Sequence, residues 1–108
     1  MKIQVFYKNI SSDGPLEEFI KDKIGGLDHI IGNDKSSVKV EVGKPSKHHH
    51  SGPVFYAEAN LSMGSNLLRA EAFGEDLRAA IVKVKEELHL QITKFKEKRT
   101  DSSRHPGG

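Results

Sequence analysis

Residues 36–73 read SSVKVEVGKPSKHHHSGPVFYAEANLSMGSNLLRAEAF, and three runs within them alternate apolar with polar side chains. Val38, Val40 and Val42 alternate with Lys39 and Glu41. Phe55, Ala57, Ala59 and Leu61 follow the same rule, and so do Leu68, Ala70 and Ala72. A repeat of two sends successive side chains to opposite faces of a pleated strand, so each run predicts a strand with one face on a core. Gly64-Ser65-Asn66 is a tight-turn signal between the last two runs. The segment around His48, His49 and His50 becomes the tip of the hairpin between the first two. Consecutive hairpins predict an antiparallel meander.

Towards the N-terminus, KIQVFYK at residues 2–8 alternates Ile3, Val5 and Tyr7 with Lys2, Gln4, Phe6 and Lys8, which predicts another strand. Beyond NISSDG, the apolar residues Leu16, Phe19, Ile20, Ile24, Leu27, Ile30 and Ile31 recur at helical spacing and predict one helix over residues 13–31. Ser12 or Asp13 suits its N-cap, Pro15 its first turn, and Glu17 and Glu18 the positive end of its dipole. Gly25-Gly26 weakens its last turns by roughly 0.5–1 kcal/mol per glycine.

Towards the C-terminus, Glu75 and Asp76 open a second helix whose apolar face is Leu77, Ile81, Val84, Leu88, Ile92 and Phe95. At about 100° per residue, Arg78, Lys85, His89 and Lys96 fall on one flank of that face, and Lys83, Lys94 and Lys98 on the other. Glu86 and Glu97 point away from the seam. The basic residues thus border the surface that the helix buries. Residues 99–108, starting at Arg99, hold no apolar side chain that could pack and are expected to be a disordered tail after a domain of residues 1–98.

The order β-α-β-β-β-α predicts an α+β two-layer sandwich, with a four-stranded sheet and two helices on one face. The 108 residues suit one domain, 30% of them charged and 35% hydrophobic. Without cysteine there are no disulfides, thiolate metal sites or thiol nucleophiles. No run of about 18 apolar residues and no apolar leader is present, so the chain is expected in the cytoplasm. The net charge of +2 is modest; for an RNA partner its distribution matters more. Lys23 and Gln91 interrupt the apolar stripes and are expected to border the crevice between the helices. Lys23 either lines that crevice or carries its ammonium to water; Gln91 either lines it or bonds to backbone.

This combination resembles the ribosome hibernation-promoting factor family, also called the sigma-54 modulation family, in its short form. The likeness lies in Glu75-Asp76, Ala79-Ala80-Ile81, Leu88, Gln91 and Lys94 of the last helix, in Lys23 four residues before Leu27, and in the basic histidine loop followed by VFYAE. The resemblance implies a fold similar to a double-stranded-RNA-binding domain, and docking on small-subunit ribosomal RNA in the channel for messenger and transfer RNA, which blocks translation. On that reading Lys23, Arg78, Lys85, Lys94 and Lys96 line a cationic crevice. Lys83, His89, Gln91, Lys98, Arg99, Lys44, Lys47 and His48–His50 are further RNA contacts. Gly26 and Arg78 depart from the family, which often has lysine and tyrosine there. The long form's C-terminal dimerisation domain has no counterpart, so a monomer is expected.

The three histidines lie beside no Cys, Asp or Glu in their loop and have no spacing with His29, His89 or His105 that suggests metal ligands, so no metal and no cofactor is expected. They form a solvated basic loop or an RNA contact. No paired carboxylates, phosphate-cradling glycine motif or assignable triad point to an enzyme or a small-molecule substrate. The competing readings are a general double-stranded-RNA-binding or RNA-chaperone module and a protein-binding domain using the outer sheet face.

Overall fold

A computed structural model describes residues 1–32, 35–45 and 54–104, with side chains as far as residue 98. Its elements are β1 (Lys2–Lys8), α1 (Gly14–Gly25), α2 (Asp28–Ile31), β2 (Ser36–Gly43), β3 (Phe55–Met63), β4 (Asn66–Gly74) and α3 (Leu77–Arg104). The four strands form one sheet in the order β1-β2-β3-β4. The predicted meander is present: β2 and β3 pair antiparallel with Val40 opposite Ala59, and β3 and β4 with Ala59 opposite Ala70. β1 runs parallel to β2, with Val5 opposite Val40. A parallel pair needs a crossover, and α1 and α2 supply it.

The alternating residues sort as the period of two requires. Val38, Val40, Val42, Ala57, Ala59, Leu61 and Met63 are all buried on the helix side. Against them pack Leu16, Ile20 and Ile24 of α1, then Leu27 and Ile31, and Ile81, Val84, Leu88 and Ile92 of α3. Full burial of each large aliphatic side chain contributes about 1.5–3 kcal/mol. No polar or charged residue is buried among the described residues, so every described cation of the helix layer is open to solvent at least in part.

Two helix expectations need correction. The single helix over 13–31 is two helices, because α1 ends at Gly25 with Gly26 as its C-cap. The Leu27 amide turns to the Ile24 carbonyl at 3.0 Å, tightening the chain before α2 begins. Gly26 itself keeps right-handed helical angles, φ −60° and ψ −21°, so the chain turns here without a left-handed residue. At the other end α3 continues to Arg104, past the boundary expected at residue 98. Arg99, Thr100, Asp101 and the two serines include no helix breaker, and the next one is Pro106, which disfavours helix at the residue before it. At 1.5 Å per residue the 28 residues of α3 span about 42 Å, and its end projects past its last core contact at Phe95.

Local chemistry sets the other boundaries. Asp13 caps α1, its Oδ1 accepting from the Leu16 amide at 3.2 Å, and Asp76 accepts from the Arg78 amide at 3.0 Å at the start of α3. Gly64 takes φ 62° in the two-residue turn between Met63 and Asn66, which suits glycine in a hairpin of this length. Asn9 adopts φ 59° as β1 ends. Its amide donates to the Lys44 carbonyl at 3.0 Å, while the Lys44 amide donates to the Lys8 carbonyl at 3.1 Å, so the ends of β1 and β2 are tied together. Between those ends a Cβ on Gly43 would land on the Lys8 carbonyl. Because that obstacle is backbone, Gly43→Ala is expected to lower stability by about 3 kcal/mol or more, measured by urea denaturation.

Candidate nucleic-acid interface

α3 lies between two neighbours, with α1 and α2 along one side and β4 along the other, so its two flanks face different surroundings. On the first side Phe19 of α1 gathers two cations: Lys23 Nζ is 5.6 Å and the Arg78 guanidinium carbon 5.4 Å from its ring centre. Further along, the Lys85 chain end occupies the space over Gly26, its Cε 4.0 Å from where a Cβ would sit. The Lys96 ammonium lies over Gly32, 3.3 Å from the corresponding point. Lys23, Arg78, Lys85 and Lys96 therefore follow the crevice between α3 and the α1–α2 segment. The exposed His89 lies on the same flank of α3.

Two residues expected in this crevice are elsewhere. Gln91 faces β4, where its Nε2 donates to the Arg69 carbonyl at 2.8 Å and to Glu87 Oε1 at 3.2 Å. Of the two readings of Gln91, the bond to backbone holds. Lys94 stands three residues after Gln91 on that same flank and half a helical turn from Lys85, so it joins Lys83 and Lys98 in a separate basic strip beside β4. Lys44 sits at the end of β2, its ammonium 5.6 Å from the centre of the Phe55 ring. Lys47 and His48–His50 lie outside the described residues, as does the side chain of Arg99.

Reading the sequence alone missed Phe19 as a neighbour of both cations and Gly26 and Gly32 as the floor under two lysines. The pairing of Phe19 with Lys23, four residues apart on a helix, was available in the sequence. Its pairing with Arg78 comes from a different helix and left no such signal.

The outer face of the sheet contrasts with this. Cross-strand pairing aligns Glu41, Glu58 and Glu71 in one row. The Glu58 carboxylate accepts from the Arg69 guanidinium at 2.7 Å and from the Asn60 side-chain amide at 3.3 Å. Burial alone would raise the Glu58 carboxyl, but the bonds from Arg69 and Asn60 outweigh it, and its pKa is lowered. In the neighbouring row Tyr56 is only 7% exposed. Burial, then the charges of Glu41, Glu58 and Glu71, push its hydroxyl up to about 12. Lys2, Lys8 and Lys39 lie on the same face, so its charge is mixed. No group of His, Cys, Asp and Glu able to hold a metal occurs among the described residues, and no described helix is long and apolar enough to cross a membrane.

Fold and charge together define an α+β domain of β-α-α-β-β-β-α order, with a row of cations along the crevice between α3 and the α1–α2 segment. Residues 3–100 match the family described as sigma 54 modulation protein / S30EA ribosomal protein, and the chain belongs to that ribosome-associated family, which is not a known family of enzymes. Among solved structures it is similar to the N-terminal domain of Thermus thermophilus Protein Y, with a TM-score of 0.76 and 23% identity over 88% of this chain and 99% of that one. It is also similar to a ribosomal subunit interface protein from Coxiella burnetii, with a TM-score of 0.72 and 17% identity over 90% and 99% of the two chains. At these identities the likeness shows a shared fold. No curated protein matches the chain.

Two measurements check the geometry. Removing the Gln91 bond by Gln91→Ala is expected to cost about 0.5–1.5 kcal/mol of stability and to leave RNA affinity within about twofold of the parent, read by urea denaturation and filter binding. A raised folded-state Tyr56 pKa contributes stability that is fully present below the free-tyrosine pKa and lost as pH rises through about 12. Stability should thus fall by about 1–3 kcal/mol across that window, and Tyr56→Phe should remove that portion of the fall while leaving the portion due to other groups.

Proposed function

We propose that the chain is a ribosome-binding translation inhibitor of the hibernation type. It docks its basic helical side on small-subunit ribosomal RNA, in the channel for messenger and transfer RNA, and acts by occupancy without chemistry. The observation that carries this reading is the convergence of Lys23, Arg78, Lys85 and Lys96 on one crevice in a member of a ribosome-associated family. The name of the Coxiella relative, a ribosomal subunit interface protein, supports the same partner.

Four cations held at the margin of a packed helix layer reach several phosphates at once. Each neutralised phosphate releases condensed counterions, so affinity rises steeply as salt falls. A rigid crevice of fixed shape selects folded RNA by its backbone geometry rather than by base sequence. The strip of Lys83, Lys94 and Lys98 beside β4 broadens the contact to RNA on the other side of α3. Lys44 at the base of the histidine loop, with Lys47, His48, His49 and His50 beyond it, adds charge at the β2–β3 end, and Arg99 continues it along α3. The protein works as a monomer in the cytoplasm, on the small subunit and on the whole ribosome.

Purified ribosomes and separated subunits, sedimented with the protein through sucrose at two salt concentrations, test this. The expected result is stoichiometric co-migration with the small subunit and whole ribosomes, inhibited translation in vitro, and no displacement by excess RNA duplex. Loss of binding to duplex competitor would instead assign a general double-stranded-RNA-binding module. The combined change Lys23→Glu, Lys85→Glu and Lys96→Glu is expected to weaken binding at low salt at least about 100-fold and to reduce the slope of log affinity against log salt by about three. Normal binding by this variant would remove the crevice from the interface.

A further inference from the structure

Lys23 and Arg78 come from different helices, yet both are stationed over one aromatic ring. Neither has an ion-pair partner among the described residues. Two unpaired cations repel each other, and in water each would move apart by rotating its long side chain. Phe19 supplies what opposes that. The face of its ring carries the negative part of the aromatic quadrupole, which attracts a cation within about 6 Å, and both cations meet that distance. The ring is half-buried and packs against the core, so it is a fixed base.

We infer that Phe19 is a positioning residue for RNA phosphate: its ring holds Lys23 and Arg78 together as a two-cation clamp at the mouth of the crevice. This rests on the ribosome-binding reading and adds to it a residue that carries no charge. The guanidinium and ammonium keep N–H donors free for an anion, because the ring donates none and accepts only at its face. A phosphate that reaches both cations offsets their repulsion, so the clamp is worth more with the anion bound than without it. Cations already gathered also lose less side-chain freedom on binding. A leucine would fill the same core position but lacks the quadrupole, and this separates positioning from packing.

The test compares Phe19→Leu, Phe19→Tyr, Lys23→Ala/Arg78→Ala and the combination of Phe19→Leu with that double change, all in the full chain binding purified ribosomes. Phe19→Leu is expected to weaken binding about five- to tenfold, and Phe19→Tyr to stay within about twofold of the parent. In the Lys23→Ala/Arg78→Ala background Phe19→Leu should have no further effect. An equal loss in both backgrounds, or no loss at all, would overturn the inference. If the double change itself binds like the parent, the clamp takes no phosphate and the inference falls with that assignment. Proton shifts in the free protein decide the clamp without any ribosome. Ring-current displacement of the Lys23 Hε and Arg78 Hδ resonances is expected in the parent, and ordinary positions there would overturn the clamp even if Phe19→Leu does not fold. A parent that shows those shifts but does not bind ribosomes would sink the ribosome reading and leave the ring's hold on the two cations standing.

Discussion

The burial of the α3 seam against the sheet governs everything else in this molecule. Ile81, Val84, Leu88 and Ile92 are essentially inaccessible, and together they contribute several kcal/mol that no surface interaction here can match. Because the seam fixes the rotation of α3 about its own axis, it also fixes where each flank points. Arg78, Lys85 and Lys96 are turned to α1 and α2, while Gln91 and its neighbours are turned to β4. The electrostatic surface follows from the hydrophobic one.

That dependence explains how a chain with a formal charge of only +2 presents a concentrated cationic crevice. Acids and bases are nearly balanced in number but not in place. The sheet's outer face mixes Lys39 and Arg69 with the glutamate row, and its strongest pair, Arg69 with Glu58, satisfies itself. In the crevice, the side chains of Lys23 and Arg78 rest on an aromatic ring and form no salt bridge among the described residues, although Asp13, Glu75 and Asp76 line the hollow beside Arg78. A cation resting on a ring keeps its charge available to an outside anion, whereas a cation in a salt bridge has already spent most of it on its partner.

Much of the fold was legible because period two and period 3.6 are properties of covalent geometry. All four strands fell where alternation put them, and Asp13 and Asp76 cap the helices they precede. The errors arose where local signals compete. Gly25-Gly26 was recognised as a weakness, but the continuing apolar residues Leu27, Ile30 and Ile31 suggested that the helix ran through it. They pack equally well from a separate short helix. At the C-terminus the lack of apolar residues argued against structure, yet a helix already nucleated by a long buried seam extends at little cost through residues that do not oppose it. The site was legible as two basic flanks on α3. Its division was not: Lys94 and Gln91 share the C-terminal block with Lys85 and Lys96, and nothing in that block says which flank meets α1.

The sequence by itself determined the four strands and their order, the buried faces and the basic borders of α3, because each depends on residues a few positions apart along the chain. The tertiary structure decided which cations meet. Phe19 and Arg78 are far apart in sequence and come together only when α1 and α3 are laid side by side on the same sheet, so their contact is a consequence of packing between elements and has no periodicity to announce it.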